Sequence, residues 1–161
     1  MIVVLFGVSG SGKTTIGRFL AQELGWKFYD ADELHPERNV EKMRQGIALT
    51  DTDRWPWLEQ LRELLKKSIA RKEDAILACS ALKDEYRDYL QISNEIRWVY
   101  LKGEYELIAN RFEQRRGHFM NPTLLRNQFE TLEEPKGNAL VVDVDASPTK
   151  IVQTIREELQ I

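Results

Sequence analysis

Short apolar runs alternate with segments of helical periodicity along this chain. The runs are rich in β-branched and aliphatic residues and are predicted as strands at residues 2–6, 26–29, 75–79, 96–101 and 139–144. Between them, apolar positions recur three and four residues apart, which is typical of a helix that packs one face on a sheet. This alternation predicts an α/β fold, with a five-stranded parallel sheet flanked by helices.

Capping residues mark where several of the helices begin and end. The first predicted helix starts at Thr14 and stops before Gly25, and a long helix starts at Asp51. We expect Pro56 in the first turn of that long helix, where a missing N–H costs no hydrogen bond. Ser147 is the predicted N-cap of a final helix that runs to residue 160. The other helices are predicted at residues 40–45, 83–90, 104–114 and 123–132.

Length and composition indicate a single domain over residues 1–161. A net charge of −3 gives no general attraction to nucleic acid or to an anionic membrane. No apolar run approaches the ~20 residues of a membrane span, and the first strand leaves no room for a signal peptide. The single cysteine, Cys79, cannot form an internal disulfide, so we expect a cytoplasmic protein. A homodimer is compatible with the sequence, which does not itself fix the oligomeric state.

A glycine-rich stretch joins the first predicted strand to the first helix. It fits the pattern G-x-x-x-x-G-K-[ST], in which backbone N–H groups at a helix N-terminus wrap a polyphosphate. Lys13 supplies a charge for the β- and γ-phosphates, and Thr14 supplies a hydroxyl for Mg²⁺. The sequence therefore predicts binding of a nucleoside triphosphate. The predicted contacts are Gly7, Val8, Ser9, Gly10, Ser11, Gly12, Lys13, Thr14 and Thr15.

Two aspartates follow the second predicted strand, at the edge of the sheet where ligands bind. The third strand ends at Ser80 without an acidic residue, so the carboxylate that helps to hold a metal must come from elsewhere. We assign Asp30 to the metal together with Thr14. Asp32 is expected to orient or deprotonate an acceptor hydroxyl. The two roles could be exchanged, and either carboxylate could instead cap a loop.

A charged segment punctuated by glycine and proline separates two predicted helices. It carries Arg111, Arg115 and Arg116 and is bounded by Gly117 and Pro122. We interpret residues 111–122 as a mobile lid that closes over bound substrates and excludes water. Arg115 is the predicted catalytic arginine, and Arg111 is expected to contact the nucleotide. The alternative is that these are ordinary surface arginines.

Five blocks of sequence, taken together, resemble the gluconate kinase family, a relative of the shikimate and adenylate kinases. Any one block other than the glycine-rich loop is weak, but the five occur in the family's order between residues 7 and 133. The blocks are 7–13; 32–36 with Asn39, Lys42, Met43 and Gly46; 51–54 with 56–58; 79–83 with 86–88; and 117–120 with Leu125, Gln128, Phe129, Leu132 and Glu133.

The resemblance implies ATP- and Mg²⁺-dependent phosphorylation of D-gluconate to 6-phospho-D-gluconate. The substrate pocket would be built from Asp32, Arg54, Ser80 and Lys83, with His118 and Gln128 as weaker candidates. Arg54 and Lys83 are the cations available for a sugar-acid carboxylate.

The same scaffold is compatible with other functions. A shikimate kinase or a small nucleotide kinase is the alternative within the kinases. A nucleotide-operated switch is the alternative from another class. A GTPase would be expected to carry an Asn-Lys-x-Asp run, which does not occur in this chain.

Overall fold

A computed structural model describes residues 1–114 and 122–161. Within these residues five parallel strands form one sheet in the order β2-β3-β1-β4-β5. The predicted five-stranded parallel sheet flanked by helices is confirmed. Arg115, Arg116 and His118, and with them most of the predicted lid, lie outside the described residues.

The observed elements agree with the predicted ones to within a few residues at each end. The strands are β1 Ile2–Phe6, β2 Lys27–Asp30, β3 Ala75–Ala78, β4 Ile96–Lys102 and β5 Leu140–Asp143. The α-helices in the described ranges are α1 Lys13–Leu24, α2 Glu37–Arg44, α3 Asp51–Ala70, α4 Asp84–Leu90, α5 Tyr105–Glu113, α6 Pro122–Thr131 and α7 Pro148–Leu159. None of the helices in this part of the chain is both long and apolar enough to cross a membrane.

The central strand β1 is buried on both faces of the sheet, as its unbroken apolar sequence requires. Ile2, Val4 and Phe6 contribute to the hydrophobic core on one face, together with α3 and α4. Val3 and Leu5 point to the opposite face and pack with α1 and α7. The alternation of side chains along a strand thus divides this one segment between two hydrophobic cores.

Two local predictions differ from the structure. Thr50 is the N-cap of α3, so Pro56 is the sixth helical residue and not a first-turn residue as expected. Asp53 lies in the first turn of the helix, and its side chain completes a capping box by accepting from the Thr50 backbone N–H at 2.9 Å. The second difference is a 3₁₀ helix at Ala31–Leu34, which periodicity could not reveal because it has only four residues.

Parallel pairing brings the carboxyl ends of all the strands to one edge of the sheet. The glycine-rich loop follows β1, Asp30 ends β2, and Ser80 lies two residues beyond β3. In an open α/β sheet this edge is where ligands bind. The fold therefore gathers the candidate residues at one place.

Candidate active site

The loop between β1 and α1 has the backbone conformation that its glycines predict. Gly10 and Gly12 have φ angles of 80° and 100°, a region that residues with a Cβ rarely adopt. Gly7 has a φ of 152°, and a Cβ there would lie 2.8 Å from the carbonyl oxygen of Leu101 on β4. The loop therefore fits closely against the neighbouring strand and leads into the N-terminus of α1, where its N–H groups can meet an anion.

Lys13 is folded back over this loop. Its Nζ donates to the carbonyl oxygens of Gly7 at 3.0 Å and Val8 at 2.9 Å. These contacts keep the ammonium group close to the loop whose N–H groups would hold phosphate. Thr15, the last of the predicted nucleotide contacts, is exposed in the first turn of α1.

The two residues predicted to hold a metal are in contact. The Thr14 hydroxyl donates to Asp30 Oδ2 at 3.2 Å. Asp30 Oδ1 accepts from the backbone N–H of Asp32 at 3.0 Å, which caps the 3₁₀ helix. No group of three or more His, Cys, Asp or Glu side chains in the described ranges could hold a metal. The pair is the kind of sparse oxygen set that suits Mg²⁺ bound mainly by phosphates and water.

Asp32 differs electrostatically from Asp30. Burial raises the pKa of the Asp32 carboxyl group, and the nearby carboxylates of Asp30 and Glu33 raise it further. The positive charge of Lys13 acts in the opposite direction. A carboxylate that binds a proton more readily than usual is better suited to accept one from an alcohol.

A cavity of about 140 Å³ lies beside the glycine-rich loop. Of the predicted substrate residues, Asp32, Arg54, Ser80 and Gln128 line it, and Lys83 does not. A smaller pocket of about 30 Å³ lies against the loop, with Thr14 and Asp30 in its wall. The two spaces share three lining residues, which are Ser9, Lys13 and Asp32.

The two cations expected to bind a carboxylate are in different situations. Lys83 Nζ is hydrogen-bonded to both carboxylate oxygens of Asp51, at 3.0 and 3.2 Å. The Tyr86 hydroxyl also donates to Asp51, and the hydrogen bond from this hydroxyl is the main reason that the Asp51 pKa is lowered. Asp51 therefore already neutralises Lys83 in this structure.

Arg54 lines the cavity and retains unused donors. Its Nη1 donates to the Tyr86 hydroxyl at 3.2 Å and lies 3.9 Å from Asp51 Oδ1. A guanidinium group has five N–H donors, and among the described residues both of these contacts use Nη1. The remaining face of Arg54 can bind an anion, whereas a second cation at Lys83 is not directly available.

Two further predicted residues, on α5 and α6, make hydrogen bonds to backbone groups outside their own helices. Gln128 on α6 accepts a hydrogen bond from the backbone N–H of Ser9 at 2.6 Å, through its Oε1. Arg111 on α5 donates to the carbonyl oxygen of Val144 at 2.8 Å, just beyond β5. The contact at Ser9 joins α6 directly to the glycine-rich loop, which the spacing of 119 residues in the sequence could not indicate.

Sequence reasoning gave no chemical role to His35, although it also lines the cavity. The residue occurs in one of the family-like blocks, immediately after Leu34. A partner for its ring, Asn39, occurs in the same block. The closeness of His35 and Asn39 in the sequence could have indicated that the two side chains interact. The orientation of the His35 ring, however, depends on Trp57, which is distant in sequence.

Comparison with known proteins identifies relatives over nearly the whole chain. A family model described as shikimate kinase matches residues 9–160. A probable gluconokinase from Xenopus tropicalis is 43% identical over an alignment of 177 positions, gaps included, which covers 99% of this chain and 93% of the relative.

Two solved structures are similar in both sequence and fold. One is an unliganded sugar kinase from Janibacter sp. HTCC2649, 40% identical, with a TM-score of 0.93 and coverage of 99% of this chain and 94% of that one. The other is a gluconokinase from Sinorhizobium meliloti 1021, 41% identical, with a TM-score of 0.84 and coverage of 98% and 94%. With a phosphate-binding loop, a carboxylate and an arginine around one cavity, and with relatives of this identity along its full length, the chain belongs to the gluconokinase family.

Proposed function

We propose that this protein transfers the γ-phosphoryl group of ATP to D-gluconate and forms 6-phospho-D-gluconate. The observation that carries the proposal is that the cavity and the smaller pocket against the glycine-rich loop, where phosphate would bind, share Ser9, Lys13 and Asp32. An acceptor in the cavity would lie next to a phosphate on the loop, with a carboxylate between them. This is the juxtaposition that direct phosphoryl transfer requires.

In the proposed reaction a hydroxyl oxygen of gluconate attacks the γ-phosphorus of ATP. The bond from that phosphorus to the bridging oxygen of ADP breaks, and the hydroxyl proton passes to the carboxylate of Asp32. Lys13 balances charge on the phosphates, and Arg54 binds the carboxylate of the substrate. Mg²⁺, for which Thr14 and Asp30 are the fitting ligands, supplies further charge neutralisation when it is bound.

The situation of Arg54 supports a sugar acid, and not a neutral sugar, as the acceptor. Its side chain is only 16% exposed, so it is largely withdrawn from water and gains from an anionic partner. Asp51 contacts it on one edge only, through Nη1. We also infer that the reaction takes place in the cytoplasm, which the lone, buried thiol of Cys79 supports. The homodimer stays a prediction.

The test is an ADP-release assay with D-gluconate, glucose, shikimate and a nucleoside monophosphate as acceptors. We expect D-gluconate to give the highest kcat/KM, and Arg54→Ala to lower that value by about 30-fold to several thousand-fold. Arg62→Ala is the matched control, because Arg62 is on the same helix but contacts Tyr89 and does not line the cavity. We expect it to leave the preference unchanged.

Each acceptor tests a different part of the proposal. If shikimate or the nucleotide is the best acceptor, gluconate phosphorylation is the wrong function. If glucose equals gluconate, the kinase assignment stands and the role of Arg54 is wrong.

A further inference from the structure

His35 is held rigidly at the wall of the cavity. It follows the 3₁₀ helix, and its ring stacks on that of Trp57, with centroids 4.3 Å apart and planes 12° apart. Trp57 is 1% exposed, and its indole N–H donates to the carbonyl oxygen of Ala31 at 2.7 Å. The plane of the imidazole is therefore set by a buried tryptophan that is itself fixed.

A neighbouring amide determines which nitrogen of His35 carries the proton. Asn39 is completely buried, and its Nδ2 lies 2.9 Å from the carbonyl oxygen of Asp53 and 3.2 Å from His35 Nδ1. A carbonyl oxygen can only accept, so the NH₂ end of Asn39 must face Asp53. The second proton of this NH₂ group then points to His35 Nδ1, which must accept it.

The opposite orientation of Asn39 is unfavourable. It would place Oδ1 against the carbonyl oxygen of Asp53, two acceptors without a proton between them. In the favoured orientation Oδ1 itself has no hydrogen-bond partner among the described residues. With Nδ1 accepting, the neutral imidazole carries its proton on Nε2.

The imidazole is also neutral at ordinary pH. Burial is the main reason that the pKa of His35 is lowered to about 4, and the positive charge of Arg54 lowers it further. Within residues 1–114 and 122–161 no hydrogen bond to Nε2 occurs, and Nε2 is not one of the buried unpartnered atoms. An uncharged, oriented N–H donor is thus available at the cavity.

We propose that Nε2–H of His35 donates a hydrogen bond to a hydroxyl oxygen of the acceptor and so orders its polyol chain. This inference rests on the proposed function. Arg54 and His35 would then recognise different parts of the acceptor. The guanidinium group would bind the carboxylate, and the imidazole would bind one hydroxyl group. A neutral donor suits this second task, because a second positive charge would compete with Arg54 for the carboxylate.

The first experiment removes the donor and keeps the ring. His35→Phe retains an aromatic surface for Trp57, and we expect kcat/KM for gluconate to fall about 3- to 10-fold, the effect of one hydrogen bond to a neutral group. The KM for ATP should change less than twofold. His35→Gln restores an N–H donor at a similar reach and should recover part of the loss. Unchanged kinetics in His35→Phe would overturn the proposal, and so would an equal loss for both substrates.

The second experiment identifies the hydroxyl. Deoxy analogues of gluconate, each lacking one hydroxyl group, are assayed with the wild type and with His35→Phe. The analogue that lacks the partner hydroxyl should be a poorer substrate for the wild type but should lose nothing further in the variant. If every analogue shows additive effects, the hydrogen bond does not exist. If the wild type does not use gluconate at all, the proposed function fails first, which separates the two outcomes.

A third measurement does not depend on activity or on any variant being catalytically competent. The chain has two histidines, so the nitrogen resonances of His35 can be assigned by their loss in His35→Gln. We expect a neutral ring with its proton on Nε2 at pH 7. A charged ring, or a proton on Nδ1, would overturn the assignment of the donor.

Discussion

Asp32 is the residue of the site whose proposed role depends most directly on its pKa. It lines both the cavity and the smaller pocket against the glycine-rich loop, and burial raises the pKa of its carboxyl group. Lys13, which lines the same two spaces, limits this effect through its charge. In the proposed reaction the pair would combine a proton acceptor with a cation that stabilises phosphate.

Replacing Asp32 by asparagine keeps the shape of the side chain and removes its basicity. We expect kcat to fall about 100-fold, the lower end of general-base effects, because a loose phosphoryl-transfer transition state needs limited help from a base. ATP affinity, measured separately by calorimetry, should change little.

Asp88→Asn is the control, since Asp88 is exposed on α4 and does not line the cavity. A collapse of ATP affinity in Asp32→Asn, with normal residual chemistry, would mean that Asp32 belongs to the metal site.

The residues of the site show where sequence reasoning succeeds and where it stops. The loop of residues 7–14 was predictable from its motif. Asp30 was predictable as a partner of Thr14 because it ends the second predicted strand and the third ends without an acidic residue. The ion pair that neutralises Lys83 was not predictable, because its partner Asp51 lies 32 residues away in the sequence. The proposed role of His35 depends in the same way on Trp57 and Asn39, because only the fold brings these residues to its ring.

At the scale of elements, the start of α3 joins several parts of the cavity wall. Asp53 Oδ2 accepts from Lys42 on α2 at 2.8 Å and from the backbone N–H of Thr50 at 2.9 Å. The backbone carbonyl of Asp53 holds Asn39, which in turn orients His35. A helix cap thus also fixes the position of a cavity residue.

This cap should make stability depend on pH. The hydrogen bond from Lys42 is the largest cause that lowers the Asp53 pKa from 3.8 to about 2. A carboxylate with a lowered pKa stabilises the fold above its unfolded value, and this contribution is lost as pH falls toward 2. We expect Asp53→Asn to lower the unfolding free energy at pH 7 by on the order of 1 kcal/mol.

Urea unfolding at pH 7 and at pH 3 tests this expectation, because the difference between wild type and Asp53→Asn should shrink at the lower pH. Asp88→Asn is the control, as Asp88 is exposed on α4 and has no ion pair among the described residues. A difference that is the same at both pH values would contradict the electrostatic origin of the effect.

At the scale of the whole molecule, the position of the phosphate-binding loop depends on how closely α1 packs against the sheet, because the loop joins β1 to α1. Gly17 is the point of closest approach on α1, since a Cβ there would lie 2.6 Å from Phe28 Cε2 and 3.5 Å from Ile76 Cγ2. The five strands and their parallel arrangement were predictable from the apolar pattern. The tight contact at Gly17 was not predictable, because from the sequence alone a glycine inside a helix indicates only a lower helix propensity.

Gly17→Ala should therefore destabilise the protein although alanine is the better helix former. The gain in helix propensity is about 0.5–1 kcal/mol, and overpacking typically costs about 1–3 kcal/mol. A net loss near 1 kcal/mol would lower Tm by roughly 2–4 °C in a protein of this size. Phe28→Leu removes the ring atoms in the way, so the double variant should recover part of the loss. A higher Tm in Gly17→Ala alone would show that α1 can move away from the sheet.

The position of β1 in the sheet also governs the order in which the molecule can be assembled. Ile2 pairs with Ala75 on one side and with Ile96 on the other, so both neighbours of the central strand are made long after it. During synthesis the apolar segment Ile2–Phe6 therefore stays without its neighbouring strands until β3 and β4 have left the ribosome. Contacts of such long range make folding slow, and an unpaired apolar strand is prone to aggregate. We therefore expect the segment that leads into the phosphate-binding loop of the folded enzyme to benefit from a chaperone while the chain is being synthesised.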